Sequence, residues 1–125
     1  VESVRKKSVF LNEVVRQLNL ANIVIINDRI ENLFASKDCR NNFDYVTARA
    51  VAPLKKLIPL AAPFIKKTGE MLFLKGKNFK NEVDELKNGG RAFSFVVHSL
   101  NESNLFRKDQ EGFLIIVDNK LSIFS

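Results

Sequence analysis

An α/β domain is the fold class this sequence predicts, and three observations predict it. Apolar residues recur at helical spacing near residues 4–20, 54–65 and 79–88. Short β-branched or aromatic runs stand between and after these stretches, at 23–26, 44–48, 71–74, 93–97 and 113–117. The last two runs have no helical stretch between them, so they are expected to pair antiparallel, whereas the earlier alternation suits a parallel sheet.

The first helix is expected over about 4–20. Val4, Ser8, Leu11, Val15 and Leu18 form its apolar stripe, and Ser3 is placed to cap it. Asn22 is a plausible stop. Residues 23–26 are continuously β-branched, the pattern of a strand buried on both faces. Asn27 and Asp28 end that strand. Leu33 and Phe34 suit a short helix, and 36–42 reads as a polar loop.

The next strand is expected at about 44–48, with Arg49 at its tip. Pro53 fits a first helical turn, where its missing N–H costs nothing. Leu54, Leu57, Ile58, Ala61 and Ile65 then keep helical spacing. Pro59 and Pro63 interrupt it, which predicts a bent or divided helix. Lys66-Lys67-Thr68-Gly69 reads as a helix exit and turn, and 71–74 as the third strand. Phe79, Val83 and Leu86 mark a further helix to about 88, closed by the Asn88-Gly89-Gly90 turn. Strands are expected at 93–97 and 113–117, with a polar loop over 99–110 and a short tail over 120–125.

The 125 residues, 46% hydrophobic, suit one domain with a real core and argue against wholesale disorder. No apolar run reaches the 18 or so residues of a membrane span, and no signal peptide opens the chain. A cytoplasmic location with no membrane partner is the default reading. Cys39 is the one cysteine, so no internal disulfide can form and no zinc site can rest on thiolates. With one His (His98) and one Cys, neither a nucleophilic triad nor a metal cluster can be assembled. The net charge of +6 favours a polyanionic partner such as nucleic acid, though charge alone also fits ordinary solvated faces. Lys6, Lys7, Lys55, Lys56, Lys66, Lys67, Lys77 and Lys80 are the candidates for such a surface.

In open α/β sheets ligands bind outside the carboxyl ends of the strands, which is where Arg49 is expected. Its guanidinium could pair with a carboxylate or a phosphate; the plain alternative is a surface ion pair with Asp44 or Glu31. Lys75 stands at the tip of the third strand.

The words Arg49-Ala50-Val51-Ala52-Pro53-Leu54 and Leu74-Lys75-Gly76 resemble the bacterial RsmG family, also called glucose-inhibited division protein B. The resemblance covers roughly residues 1–90 and fades beyond. Its members methylate N7 of a guanine in 16S ribosomal RNA with S-adenosylmethionine. The resemblance implies a partial Rossmann-like class I methyltransferase sheet that lacks most of the first βαβ unit and ends in an antiparallel pair. Family strands are ordered three, two, one, four, five, seven, six. By resemblance, 23–26 is strand three, 44–48 four, 71–75 five, 91–98 six and 112–118 seven.

The family's glycine-rich loop, which cradles the methionine part of the cofactor, has no counterpart here; none of the 5 glycines precedes Gly69. The resemblance therefore implies an incomplete chain, inactive by itself. By the same resemblance Glu2 and Ser3 match the acidic tip of strand two, where a carboxylate accepts ribose hydroxyls. Ile30 and Glu31 match the pair that contacts adenine, and Arg49 faces the cofactor. Lys75 and Lys77 are assigned to RNA. Read without the family, Glu2 and Glu31 are solvated charges and Ile30 a core residue. The family's arginine before the final strand is missing at Glu111-Gly112-Phe113, unless Arg107 replaces it.

No catalytic acid–base residue is assigned, because guanine N7 carries a lone pair and no proton. The demand is for alignment and close approach. The implied partner is 16S rRNA or the small ribosomal subunit. The rival reading is a non-enzymatic basic RNA-binding module. With family strands one and two gone, a gap of about 10 Å is expected between strands three and four. Residues 23–26 are then expected either to close up beside 44–48 or to leave their family place.

Overall fold

The structure, a computed structural model, describes residues 1–89, 94–100 and 112–118. The chain divides into two compact units, Val1–Ser36 and Lys37–Ser125.

In the first unit, α1 runs Arg5–Gln17, inside the expected span. Ser3 does not cap it: no side chain caps this end, and Glu2 Oε1 instead accepts the Val4 N–H at 2.8 Å. Ser8 is the buried residue of α1, donating to the Glu2 carbonyl at 3.1 Å, while Val4, Leu11 and Leu18 of the expected stripe are exposed. Periodicity says which face of a helix is apolar, not whether anything covers it. Near its end, Arg16 donates twice to Glu13, at 2.6 and 2.9 Å. The Arg16 guanidinium, and then Gln17, hold the Glu13 carboxyl below its ordinary range. What this exposed pair contributes is present above the ordinary carboxylate range and is lost as pH falls through the lowered pKa.

Residues 23–26 are not a strand. Val24 is 81% exposed, and the segment is tied by the Glu2 N–H to the Ile26 carbonyl at 2.9 Å, a rung rather than a ladder. β-branched composition favours a strand, but a strand also needs a partner to pair with. A 3-10 turn follows at Ile30–Leu33. Asp28 Oδ1 anchors its start, accepting the Arg29 N–H at 2.7 Å and the Asn32 amide at 2.6 Å.

Among the described residues, the second unit is a four-stranded sheet with two helices. Its elements are β1 (Phe43–Arg49), α2 (Leu54–Ala61), β2 (Ile65–Lys75), α3 (Phe79–Asn88), β3 (Phe95–Ser99) and β4 (Phe113–Asp118). The strand order is β1-β2-β4-β3. β1 and β2 are parallel, and β4 is antiparallel to both β2 and β3. This is the four, five, seven, six order implied above, with the antiparallel final pair.

Pro53 sits at the N-cap of α2, one residue before its first turn. Pro59 lies inside the helix, which gives way to a 3-10 turn at Ala62–Phe64, the divided helix expected. Residues 66–69 are not a helix exit. They belong to β2, which starts at Ile65. The pairing steps from Phe43↔Ile65 directly to Tyr45↔Glu70, so β2 carries extra residues as a bulge. Lys66 Nζ reaches across to Asp44 Oδ1 at 2.9 Å. Lysines and a glycine in series mimic a turn in sequence; here they are the bulged first half of an interior strand.

One face of the sheet is packed. Met71 and Phe73 of β2 and Ile115 and Val117 of β4 meet Leu54, Leu57, Ile58 and Ala61 of α2 and Phe79, Val83 and Leu86 of α3. Phe73, fully buried, lies on the middle of this face. The Phe79 and Phe113 rings stack with centroids 4.1 Å apart, tying α3 to the start of β4. Of the loop expected over 99–110, Ser99 instead ends β3, while residues 101–110 and the tail over 120–125 lie outside the described residues.

Candidate functional site

Parallel strands point their carboxyl ends the same way, and β1 and β2 end side by side at Arg49↔Leu74. The chain leaves both ends towards helices, β1 towards α2 and β2 towards α3. Between the two exits lies an open cleft of about 910 Å³. Arg49, Ala50 and Val51 line one side; Lys75, Gly76 and Lys77 line the other. The structure thus brings together Arg49, Lys75 and Lys77, three of the residues singled out in the sequence.

Arg49 is exposed, and its side chain makes no ion pair among the described residues. The surface pair with Asp44 does not form; that carboxylate pairs with Lys66. Ala50 follows in the left-handed region at φ 53°, a conformation costing a non-glycine residue about 1–2 kcal/mol. This kink turns the chain from β1 into the Ala52-Pro53 approach to α2.

Lys75 is not a solvated lysine. Its side chain is 9% exposed, and Nζ donates to the Ala52 carbonyl at 2.6 Å and to Glu82 Oε2 at 2.9 Å. Glu82, whose side chain is 25% exposed, also accepts the Leu54 N–H at 2.9 Å with the same oxygen. One carboxylate thus joins the first turn of α3, the tip of β2 and the start of α2. It also meets the unsatisfied N–H groups that open α2, where a negative charge is favourable. Lys77 is exposed at the cleft wall.

Sequence reasoning missed Glu82 and Ala50. The available signal for Glu82 was an acidic residue in the first turn of a helix seven positions after a strand-tip lysine. Nothing local marked Ala50, since alanine is not a residue that announces positive φ.

Glu2, Ser3, Ile30 and Glu31 lie in the first unit. The Asn27 amide donates to the carbonyls of Glu2 and Ser3 at 2.9 and 3.2 Å, so residues 2–3 run beside 26–27. Ile30 and Glu31 open the 3-10 turn three residues further on, Ile30 half-buried and Glu31 exposed. Glu2 Oε1 accepts the Val4 N–H.

The profile of a protein family described as "GidB: rRNA small subunit methyltransferase G" matches residues 1–111. The chain belongs to this family. Curated GidB relatives named "Ribosomal RNA small subunit methyltransferase G" include one from Pseudothermotoga lettingae, 46% identical over 88 residues, which cover 70% of this chain and 38% of the relative. One from Thermotoga petrophila is 36% identical over 90% of this chain and 49% of its own length. One from Oceanobacillus iheyensis is 33% identical over 96% of this chain and 50% of its own. The chain therefore spans about half the length or less of these GidB proteins. A crystal structure of an rRNA methylase from Streptococcus thermophilus matches with a TM-score of 0.63 at 18% identity, covering 94% of this chain and 69% of that one. At that identity the likeness speaks for a methyltransferase-like fold.

Proposed function

We propose that these residues form part of an S-adenosylmethionine-dependent methyltransferase that modifies N7 of a guanine in 16S ribosomal RNA. The observation that carries the reading is the match to the GidB family over 1–111, with a cleft at the carboxyl ends of β1 and β2. Relatives with the same family name are ribosomal RNA methyltransferases by name. The cofactor, when bound, supplies an activated methyl on a sulfonium.

The residues present suit parts of that group. Glu2 keeps a carboxylate oxygen outside its bond to Val4, and a carboxylate is the natural acceptor for a ribose diol. Ile30 offers an apolar side chain to a flat heterocycle, with the Glu31 backbone beside it. Arg49 offers five N–H donors to a carboxylate or a phosphate, and no protein carboxylate competes for them among the described residues. Lys77, exposed at the cleft wall, serves the RNA side, whereas Lys75, matched to RNA by the resemblance, is held by Ala52 and Glu82. Since the nucleophile needs no deprotonation, these groups act by holding and aligning. A cytoplasmic location, where ribosomal RNA is matured, goes with this reading.

The test uses the intact protein and 16S rRNA from a strain lacking its own enzyme of this family. Labelled S-adenosylmethionine is supplied, and digested nucleosides are read by mass spectrometry. One 7-methylguanosine per rRNA is expected. Salt-dependent RNA binding with no 7-methylguanosine selects the non-enzymatic binding module instead.

A further inference from the structure

We propose that Lys75 and Glu82 are a positioning pair that fixes the Arg49–Pro53 turn as a preformed wall of the cleft. The tie to methyl transfer rests on the function proposed above; the structural part does not. Four facts carry it. The turn holds a non-glycine residue, Ala50, at φ 53°. Two residues on, the Ala52 carbonyl accepts from Lys75 Nζ at 2.6 Å. Two residues further, the Leu54 N–H donates to Glu82 Oε2 at 2.9 Å. Lys75 and Glu82 are themselves paired at 2.9 Å, with the lysine side chain only 9% exposed.

A left-handed alanine persists only where its surroundings over-determine it. Here the surroundings are a carbonyl and an N–H, both held by charged partners from β2 and α3. Charge-assisted bonds are about twice as strong as neutral ones, and shielding from water strengthens them further. The turn carries Arg49 at one end and the first residue of α2 at the other. Its conformation therefore sets where the Arg49 guanidinium and the Val51 side chain stand in the cleft. With two protons committed to the scaffold, the Lys75 ammonium works mainly through the turn.

The experiment measures amide hydrogen exchange and steady-state kinetics on the intact protein and on Lys75→Met and Glu82→Ala. In the unaltered protein the Leu54 amide is expected to be protected; an unprotected Leu54 amide overturns the proposal without any variant. In each variant, exchange at residues 51–54 is expected to rise by about tenfold or more, while the strands stay protected. The turnover number is expected to fall by about tenfold or more, with KM for RNA within about threefold. Glu82→Gln keeps an acceptor for both donors and is expected to fall between Glu82→Ala and the unaltered protein. If Lys75→Met leaves exchange unchanged but lowers the salt slope of RNA binding by about one, Lys75 is a phosphate contact and the proposal is wrong. If the unaltered protein shows no methyl transfer, the functional reading fails while the exchange data still decide this one.

Discussion

Gly69 shows how a single position can hold a strand pairing. A Cβ built there meets Ile65 Cγ1 at 2.6 Å and the Asp44 carbonyl oxygen at 2.7 Å. The second contact is backbone of β1, which cannot step aside without disturbing the pairing at the bulge. Gly69→Ala is therefore expected to destabilise the protein by about 1–3 kcal/mol, read as a lower urea midpoint. In the sequence this glycine looked like the end of a turn, because close approach of another strand leaves no local mark. Glu82 was hidden for a related reason. Its partners, Lys75, Leu54 and through Lys75 the Ala52 carbonyl, come from two segments, the tip of β2 and the start of α2, that only the crossover connections bring to α3. Arg49 was legible because a strand tip in an α/β pattern is a ligand position whatever the rest of the fold does.

The elements themselves were read best where a repeat length matched a buried face. α3 runs Phe79–Asn88 as its stripe foretold, and Phe79, Val83 and Leu86 are its buried residues. The same logic failed at 23–26, where composition marked a buried strand and no ladder formed. The sheet order was readable only through the family resemblance, since periodicity does not name neighbours. β2 is the element on which the packing turns. It pairs on both sides and carries Met71 and Phe73 into the core, with Gly69 ahead of them on the same face. Removing the Phe73 side chain leaves a cavity inside the core cluster. Phe73→Ala is expected to lower stability by about 3–5 kcal/mol, a large share of a typical domain's 5–15. Chemical denaturation with a fluorescence or circular dichroism readout measures it. A loss below about 1 kcal/mol contradicts the assignment of Phe73 to the centre of the core.

For the molecule as a whole, the question is how much of a cofactor site these residues can supply. The second unit supplies cleft walls at Arg49–Pro53 and Lys75–Lys77, and the ribose and adenine positions proposed above fall on Glu2, Ile30 and Glu31. The glycine-rich loop that the family resemblance assigns to the methionine end is not among them. A charged amino-acid end bound by backbone N–H groups contributes roughly three or four hydrogen bonds, each worth about 1 kcal/mol net. Losing them weakens binding by roughly two to three powers of ten. Residues 1–125 produced by themselves are thus expected to bind S-adenosylmethionine in the millimolar rather than the micromolar range, and to transfer no methyl group. The net charge of +6 does not depend on that loop, so weak RNA binding that falls steeply with added salt is expected to survive. Calorimetry on residues 1–125 with cofactor and, separately, with an rRNA fragment at two salt concentrations distinguishes the two capacities. A micromolar cofactor affinity contradicts the assignment of the methionine end to a loop outside these residues, because Glu2, Ile30, Glu31 and Arg49 alone cannot supply those missing contacts.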